Sequence, residues 1–191
     1  NSTPTQLSDP MFSSPLLVRP STPADLAAIR DIYGHAVTQG TGTFELEAPD
    51  ATEMARRRDD VLSKGLPWLV AEAQGRVLGY AYANPFRPRP AYRFSVEDSV
   101  YLRPDDQGRG VGRALLAELM ARCQAAGARQ MLAVIGDSTN HGSIGVHRAL
   151  GFEDCGLLRS VGWKFDRWLD VVLMQRALGA RAHSAAQDGS T

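Results

Sequence analysis

The chain has 191 residues, 43% of them hydrophobic and 22% charged, and its 21 basic and 21 acidic residues give a formal net charge of zero at pH 7. This length and composition are typical of one globular domain with a sizeable core. The balanced charge argues against a nucleic-acid surface, and no apolar run approaches the roughly 18 residues of a membrane-spanning helix, so we expect neither nucleic acid nor a membrane as a partner.

Hydrophobic periodicity and turn residues predict the elements of the domain. Helix starts are marked by a Ser/Thr cap with Pro23 and Asp25 behind it, and by the cap Asp50. In chain order the predicted elements are strand 16–19, helix 21–37, loop 41–49, helix 50–65, strands 67–73 and 76–83, an irregular proline-rich segment 84–92, strand 93–102, helix 113–126, strand 129–136, helix 143–151 and strand 168–178.

This order predicts an α/β (α+β) fold with helices packed on a largely antiparallel sheet and one central β-α-β unit. Residues 15–178 are expected to form a single domain. The Ser/Thr/Pro/Ala-rich ends are expected to be a flexible leader over 1–14 and a flexible tail over 179–191.

The two cysteines, Cys123 and Cys155, and the four histidines show no CxxC motif and no metal-ligand spacing, so no metal site is expected. Two thiols without a recognisable secretory signal indicate a reduced, cytoplasmic protein.

A glycine-rich turn lies between strand 93–102 and the helix that follows it. The spacing fits neither the dinucleotide fingerprint G-x-G-x-x-G nor the P-loop, and leaves Q-x-x-G-x-G at residues 107–112. A helix N-terminus offers unpaired N–H groups and a positive dipole end, and Gly110 and Gly112 let a phosphate approach the backbone. Arg109 and Arg113 add charge. Taken alone, the turn is equally compatible with a plain strand–helix connection.

Strand 93–102 has two different faces when read with period two. One face is apolar except for Asp98. The other is almost wholly polar and consists of Arg93, Ser95, Glu97, Ser99 and Tyr101. A solvated sheet face explains such a row by itself, but this row leads directly into the glycine turn and is therefore a candidate catalytic row.

The segments "VYLRPDDQGRGVGRALL" and "AVIGDSTNHGSIGVHRALGF" resemble the GCN5-related N-acetyltransferase (GNAT) family, and the resemblance spans roughly residues 16–178. It implies the GNAT fold and acetyl-CoA as cosubstrate, with no metal. It further implies that the cofactor is bound by Val100, Tyr101, Leu102, Gln107, Gly108, Arg109, Gly110, Val111, Gly112, Arg113, Asn140, Ser143 and His147.

Amine acetylation needs a base, a positioned carbonyl and a proton donor for the departing thiolate. Glu97 is the candidate base, acting through a water. Many family members carry a Tyr before the "LGF" turn, where this chain has His147. His147 is either the acid or a packed neighbour of the cofactor, and Tyr101 is the other candidate acid.

Three further segments, "GTFELEAP", "GYAYANPFRPRPAYRFSVEDSVYL" and "LLRSVGWKFDRWLDVVLMQ", resemble the phosphinothricin and methionine sulfoximine acetyltransferases. Guanidinium groups on the 84–92 loop suit a carboxylate or phosphinate, although an exposed basic loop has the same composition. The resemblance implies a homodimer and a substrate pocket formed by Thr43, Phe44, Tyr82, Arg89, Tyr92, Val161, Gly162 and Trp163.

Two other functions stay open at this stage. One is acetylation of a different amine, either a protein N-terminus or a polyamine; an arginine-rich loop is unsuited to a polyamine. The other is a non-catalytic acyl-CoA-binding domain, because a fold does not fix a function.

Overall fold

The computed structural model describes residues 5–7, 15–180 and 182–184. Within these ranges the strands are β1 (Thr5–Leu7), β2 (Leu16–Pro20), β3 (Trp68–Ala73), β4 (Arg76–Pro85), β5 (Ser95–Leu102), β6 (Gln130–Gly136), β7 (Glu153–Lys164) and β8 (Arg167–Ala177). The helices are α1 (Leu26–Gln39), α2 (Ala51–Ser63), α3 (Val111–Ala125) and α4 (His141–Ala149), with short 3-10 turns at Pro23–Asp25, Pro90–Tyr92 and Pro104–Asp106.

The strands form one sheet in the order β1-β2-β3-β4-β5-β6-β8-β7. Neighbouring strands are antiparallel except β5 and β6, which are parallel and joined through α3. The predicted fold class, a largely antiparallel sheet with helices and one central β-α-β unit, is confirmed.

Local sequence explains where the helices begin. Thr22 and Asp25 form a capping box, in which the Asp25 carboxylate accepts a hydrogen bond from the Thr22 backbone N–H at 2.7 Å. Asp50 caps α2 by accepting from the Glu53 N–H at 2.8 Å. Both predicted helix starts are confirmed, although the first turn after Thr22 is a 3-10 turn.

Two apolar clusters cover opposite faces of the sheet. One packs α3 against the sheet through Leu115, Leu116 and Leu119, which are fully buried. The other packs α1 and α2 over Trp68 and Tyr80. Successive side chains of the central strands β3 and β4 alternate between the two clusters, so this part of the sheet is covered on both faces.

Strand β7 is absent from the predicted elements. Nine successive residues from Glu153 to Val161 are exposed, so the segment lacks the alternation that predicts a strand. Its pairing with β8 shifts register between Leu158 and Gly162, where Ser160 has a φ of 51°.

Residues 5–7, in the predicted leader, pair with β2. The rest of the predicted leader, and residues 181 and 185–191 of the predicted tail, lie outside the described residues. In the described ranges no helix is both long and apolar enough to cross a membrane, and no group of three or more His, Cys, Asp and Glu side chains is arranged to hold a metal ion.

Candidate active site

The parallel strands β5 and β6 separate in the middle of the sheet. They pair only at residues 95–97 against 130–132, although β5 continues to Leu102 and β6 to Gly136. The separation opens a cleft of about 1000 Å³. Since the second half of β5 has no β6 partner, the backbone groups on that edge are available to a bound molecule.

The glycine turn forms one end of this cleft. Helix α3 begins at Val111, directly after its cap residue Gly110. Gly108 and Gly110 have φ values of 72° and 81°, which are unfavourable for any residue with a Cβ. The cleft-lining residues of the turn and of the β5 end before it are Val100, Tyr101, Leu102, Gln107, Gly108, Gly110, Gly112 and Arg113. This is the anion-binding geometry of a helix N-terminus.

Two of the predicted cofactor-binding residues do not line the cleft. Val111 is fully buried in the core. The Arg109 guanidinium lies 2.8 Å from a carboxylate oxygen of Asp106, which is 1% exposed and also contacts Arg76 at 3.0 Å. The Arg109 side chain therefore contacts the Asp106 carboxylate and is not part of the cleft lining.

Helix α4 forms the opposite wall. Its cap Asn140 accepts a hydrogen bond from the Ser143 N–H at 3.2 Å, and Asn140, Ser143 and His147 all line the cleft. His147 is 3% exposed. Its Nδ1 lies 2.7 Å from the Ser143 carbonyl oxygen and its Nε2 lies 2.9 Å from Asp98 Oδ1.

The contacts of the His147 ring favour its charged form. Both ring nitrogens lie beside acceptor oxygens, so a proton on each nitrogen satisfies both contacts. Burial lowers the pKa of His147, but the hydrogen bond and charge of Asp98 outweigh it and the net shift is upward. A proton donated from this ring to a thiolate would break one of the two contacts.

The polar row of β5 faces α1 and α2. Glu97, Ser99 and Tyr101 all line the cleft. Burial, and secondarily the charge of Asp98, raises the pKa of Glu97 above its ordinary value of 4.5, against the opposing charge of Arg87. The three predicted catalytic residues, Glu97, Tyr101 and His147, therefore border one cleft.

The Tyr101 ring packs edge-on against Tyr33, with ring centroids 4.9 Å apart, and lies 5.5 Å from the Tyr80 ring. Burial, reinforced by the neighbouring Tyr82 and Tyr33, raises the pKa of Tyr101 well above 10. Its hydroxyl therefore keeps its proton at neutral pH.

The loop between α1 and α2 covers the Glu97 side of the cleft. Thr43 is held at two points: its hydroxyl lies 2.9 Å from the Tyr33 hydroxyl, and its carbonyl accepts from Lys164 Nζ at 2.8 Å. The Phe44 ring packs on Gly162 and Gly136, where a Cβ would lie 3.0 Å or less from ring carbons. Thr43 and Phe44 line the cleft, and Gly162 provides the surface on which the Phe44 ring of the loop packs.

Asp137 joins this loop to the rest of the site, and the sequence did not single it out. Its carboxylate accepts from the Thr41 and Thr139 hydroxyls, both at 2.7 Å, and from Arg167 at 3.2 Å. Burial raises the pKa of Asp137, but these hydrogen bonds outweigh it and hold the pKa at about 2. The turn sequence "GDSTN" is the only pattern that could have indicated Asp137, and no pattern indicated Lys164.

The other predicted substrate residues lie outside the cleft lining. Tyr82 stacks on Trp68 with centroids 4.1 Å apart. Arg89 and Tyr92 are exposed on the proline-rich loop. Val161 and Trp163 on β7 are 52% and 54% exposed.

Substitution of Gly162 tests the packing of the Phe44 ring directly. Gly162→Ala is expected to lower the free energy of unfolding by about 1–3 kcal/mol and to displace Phe44, because the added methyl overlaps the ring. Gly156→Ala, also on β7, is the matched control because a Cβ added there would meet nothing within 4 Å. Equal urea midpoints for the two variants would contradict this packing.

Known proteins are similar to this chain in sequence and fold. The profile of the Acetyltransferase (GNAT) family matches residues 28–152. A phosphinothricin N-acetyltransferase of Alcaligenes faecalis is 57% identical over 82% of this chain and 79% of its own. A methionine sulfoximine/methionine sulfone acetyltransferase of Pseudomonas aeruginosa is 43% identical over 83% and 92%.

A Sinorhizobium meliloti phosphinothricin acetyltransferase solved with acetyl-CoA superposes with a TM-score of 0.87 at 46% identity, covering 91% of this chain and 94% of that one. The resemblance seen in the sequence is thereby confirmed, and the chain belongs to the GNAT family of acetyltransferases.

Proposed function

We propose that this protein transfers the acetyl group of acetyl-CoA to the α-amine of a small amino acid such as L-phosphinothricin, methionine sulfoximine or methionine sulfone. The observation that carries the proposal is the position of Glu97, a half-buried carboxylate on the wall of a cleft that ends at the glycine turn of α3. The names of the relatives at 57% and 43% identity support the substrate class.

The residues present fit acetyl-CoA. The first N–H groups of α3, with Arg113 at the rim, would hold the pyrophosphate, and the free edge of β5 would hydrogen-bond the pantetheine arm. When bound, the cosubstrate supplies a thioester as the acetyl donor. A backbone N–H near Val100 would support the developing charge on the thioester oxygen.

The side chains divide the proton transfers between them. Glu97, through a water, takes the proton of the substrate ammonium and leaves a nucleophilic amine. Tyr101 is the donor we favour for the departing thiolate, since this residue lines the cleft and its hydroxyl keeps its proton at neutral pH. We assign His147 a positioning role, because both of its nitrogens already contact Ser143 and Asp98.

The substrate itself would lie on the Glu97 side of the cleft, under the loop of Thr43 and Phe44. Arg89 and Tyr92 would bind its acidic groups from the proline-rich loop, where guanidinium geometry suits a carboxylate or phosphinate. Tyr82 and the β7 segment would close the pocket with Val161, Gly162 and Trp163.

The proposal includes a homodimer. Exposed apolar side chains lie along β7 and the start of β8: Leu157, Leu158, Val161, Trp163, Phe165 and Trp168. A second copy would cover such an apolar strip. A monomeric mass in sedimentation equilibrium at micromolar concentration would overturn this part of the proposal.

Release of free CoA from acetyl-CoA, measured across a panel of amines, tests the substrate class. We expect turnover with L-phosphinothricin, methionine sulfoximine and methionine sulfone, and little with spermidine or a peptide N-terminus. Turnover confined to the last two would replace the amino-acid proposal with one of the alternative amines. No turnover with any amine, despite acetyl-CoA binding, would indicate a non-catalytic acyl-CoA-binding domain.

A further inference from the structure

Asn84 on β4 lies directly opposite Glu97 on β5. In an antiparallel pair, opposite residues share a face and their Cβ atoms lie about 4.5–5.5 Å apart. The same two strands also pair Tyr82 with Ser99, so Asn84 continues the row of side chains that faces α1 and α2. Asn84 is therefore the β4 neighbour of the candidate base.

The side-chain oxygen of Asn84 is buried and has no hydrogen-bond partner within the part of the chain that the structure describes. A buried amide oxygen without a donor is unfavourable, and most such groups in folded proteins are satisfied. Its neighbour Glu97 is also an acceptor when ionised, so it cannot supply the missing proton. A molecule bound beside Glu97 can supply this donor.

The two neighbouring acceptors define the chemistry of that donor. An amide oxygen beside a carboxylate suits a group with several N–H donors and a positive charge, which an ammonium provides. Because the Asn84 amide is uncharged, it adds a second acceptor without the repulsion that a second carboxylate opposite Glu97 would bring.

We propose that Asn84 is a substrate-binding residue whose Oδ1 accepts a hydrogen bond from the ammonium of the amino-acid substrate and, together with Glu97, orients it toward the cleft. This inference rests on the proposed function and names a contact for its substrate. Glu97 takes a proton through a water, and the amide of Asn84 holds the nitrogen in place while this happens.

Two substitutions separate this role from a structural one. Asn84→Leu removes the acceptor at similar volume, and we expect the KM for methionine sulfoximine to rise roughly tenfold or more, as for a lost hydrogen bond to a charged group. The Kd for acetyl-CoA should stay unchanged. The melting temperature should rise, because the buried oxygen without a partner is removed.

Asn84→Asp is the matched variant that keeps an acceptor oxygen at the same place. We expect its KM to stay at or below that of the native protein at pH 8. The acid limb of its kcat/KM profile should move to higher pH, because a like charge opposite Glu97 disfavours ionisation.

The outcomes are distinguishable. A native KM in Asn84→Leu, with the native protein active, overturns this inference alone. A lower melting temperature together with weaker acetyl-CoA binding would mark Asn84 as structural and would also overturn it. If the native protein acetylates none of the amino acids, the proposed function itself fails.

Discussion

Glu97→Gln is expected to lower kcat/KM for the amino-acid substrate about 10²–10⁴-fold at pH 7, the range that general-base catalysis contributes. Gln has nearly the same shape and cannot accept the proton. The Kd for acetyl-CoA is expected to stay the same, because Glu97 lies on the amine side of the cleft, away from the glycine turn. Steady-state rates and calorimetric titration check the two halves of this expectation.

The pH dependence sharpens the same prediction. The raised pKa of Glu97 places the acid limb of the native profile above the ordinary value of 4.5, and the rate should level off once Glu97 is ionised. The Gln variant depends on preformed free amine, so its rate should rise about tenfold per pH unit up to the pKa of the substrate amine. Glu47→Gln, an exposed carboxylate of the 41–49 loop, is the control. A variant profile parallel to the native one would exclude Glu97 as the base.

The largest effect on stability is expected from Asp98→Leu, which removes one partner of a buried ion pair. The side chains of Asp98 and His147 are 3% and 4% exposed. Breaking such a pair from one side costs about 3–5 kcal/mol at a pH low enough for His147 to stay charged, since that charge is then buried without compensation. Urea denaturation measures the loss.

The direction of the pH dependence is a second readout of this pair. In the native protein the pKa of His147 is raised above its ordinary value of 6.5. The stabilisation is therefore complete below pH 6.5 and is lost as the pH rises through the folded-state pKa. In Asp98→Leu, burial becomes the main influence on His147, and the pKa of His147 falls below 6.5. The free energy of unfolding should then decrease as the pH falls.

The exposed pair Arg148–Asp154, whose arginine lies on α4 beside His147, offers a control. Its side chains are 60% and 58% exposed, so Asp154→Leu is expected to cost no more than about 1 kcal/mol. The two substitutions should lower the free energy of unfolding unequally if the buried pair is charged. An equal loss, or an unchanged pH dependence of the free energy of unfolding in Asp98→Leu, would show that charge does not stabilise the Asp98–His147 contact.

Parts of the site that depend on local chemistry were predictable from the sequence. The spacing Q-x-x-G-x-G marked the turn before α3, and the structure adds that Gly108 and Gly110 have positive φ values that residues with a Cβ avoid. Glu97 was found through strand alternation, since period two fixes which residues share a face. The same alternation showed Asp98 as the one charge on an apolar face, a sign of a buried partner that the sequence alone could not identify.

The partners themselves lie far along the chain. His147 meets Asp98 across 49 positions, and Lys164 meets Thr43 across 121. Such contacts depend on which strands become neighbours, and β7, which carries Gly162 and Lys164, had no alternation to reveal it. Asn84 was read as the start of an irregular loop, whereas its pairing in β4 is what places it opposite Glu97.

The identity of the product decides whether this protein acetylates the α-amine of an amino acid. Acetyl-CoA and L-phosphinothricin are incubated with the protein, and the product is characterised by mass spectrometry and NMR. We expect one acetyl group on the α-nitrogen for each CoA released. Release of CoA without an acetylated amino acid, or no release beyond the rate without protein, would contradict it.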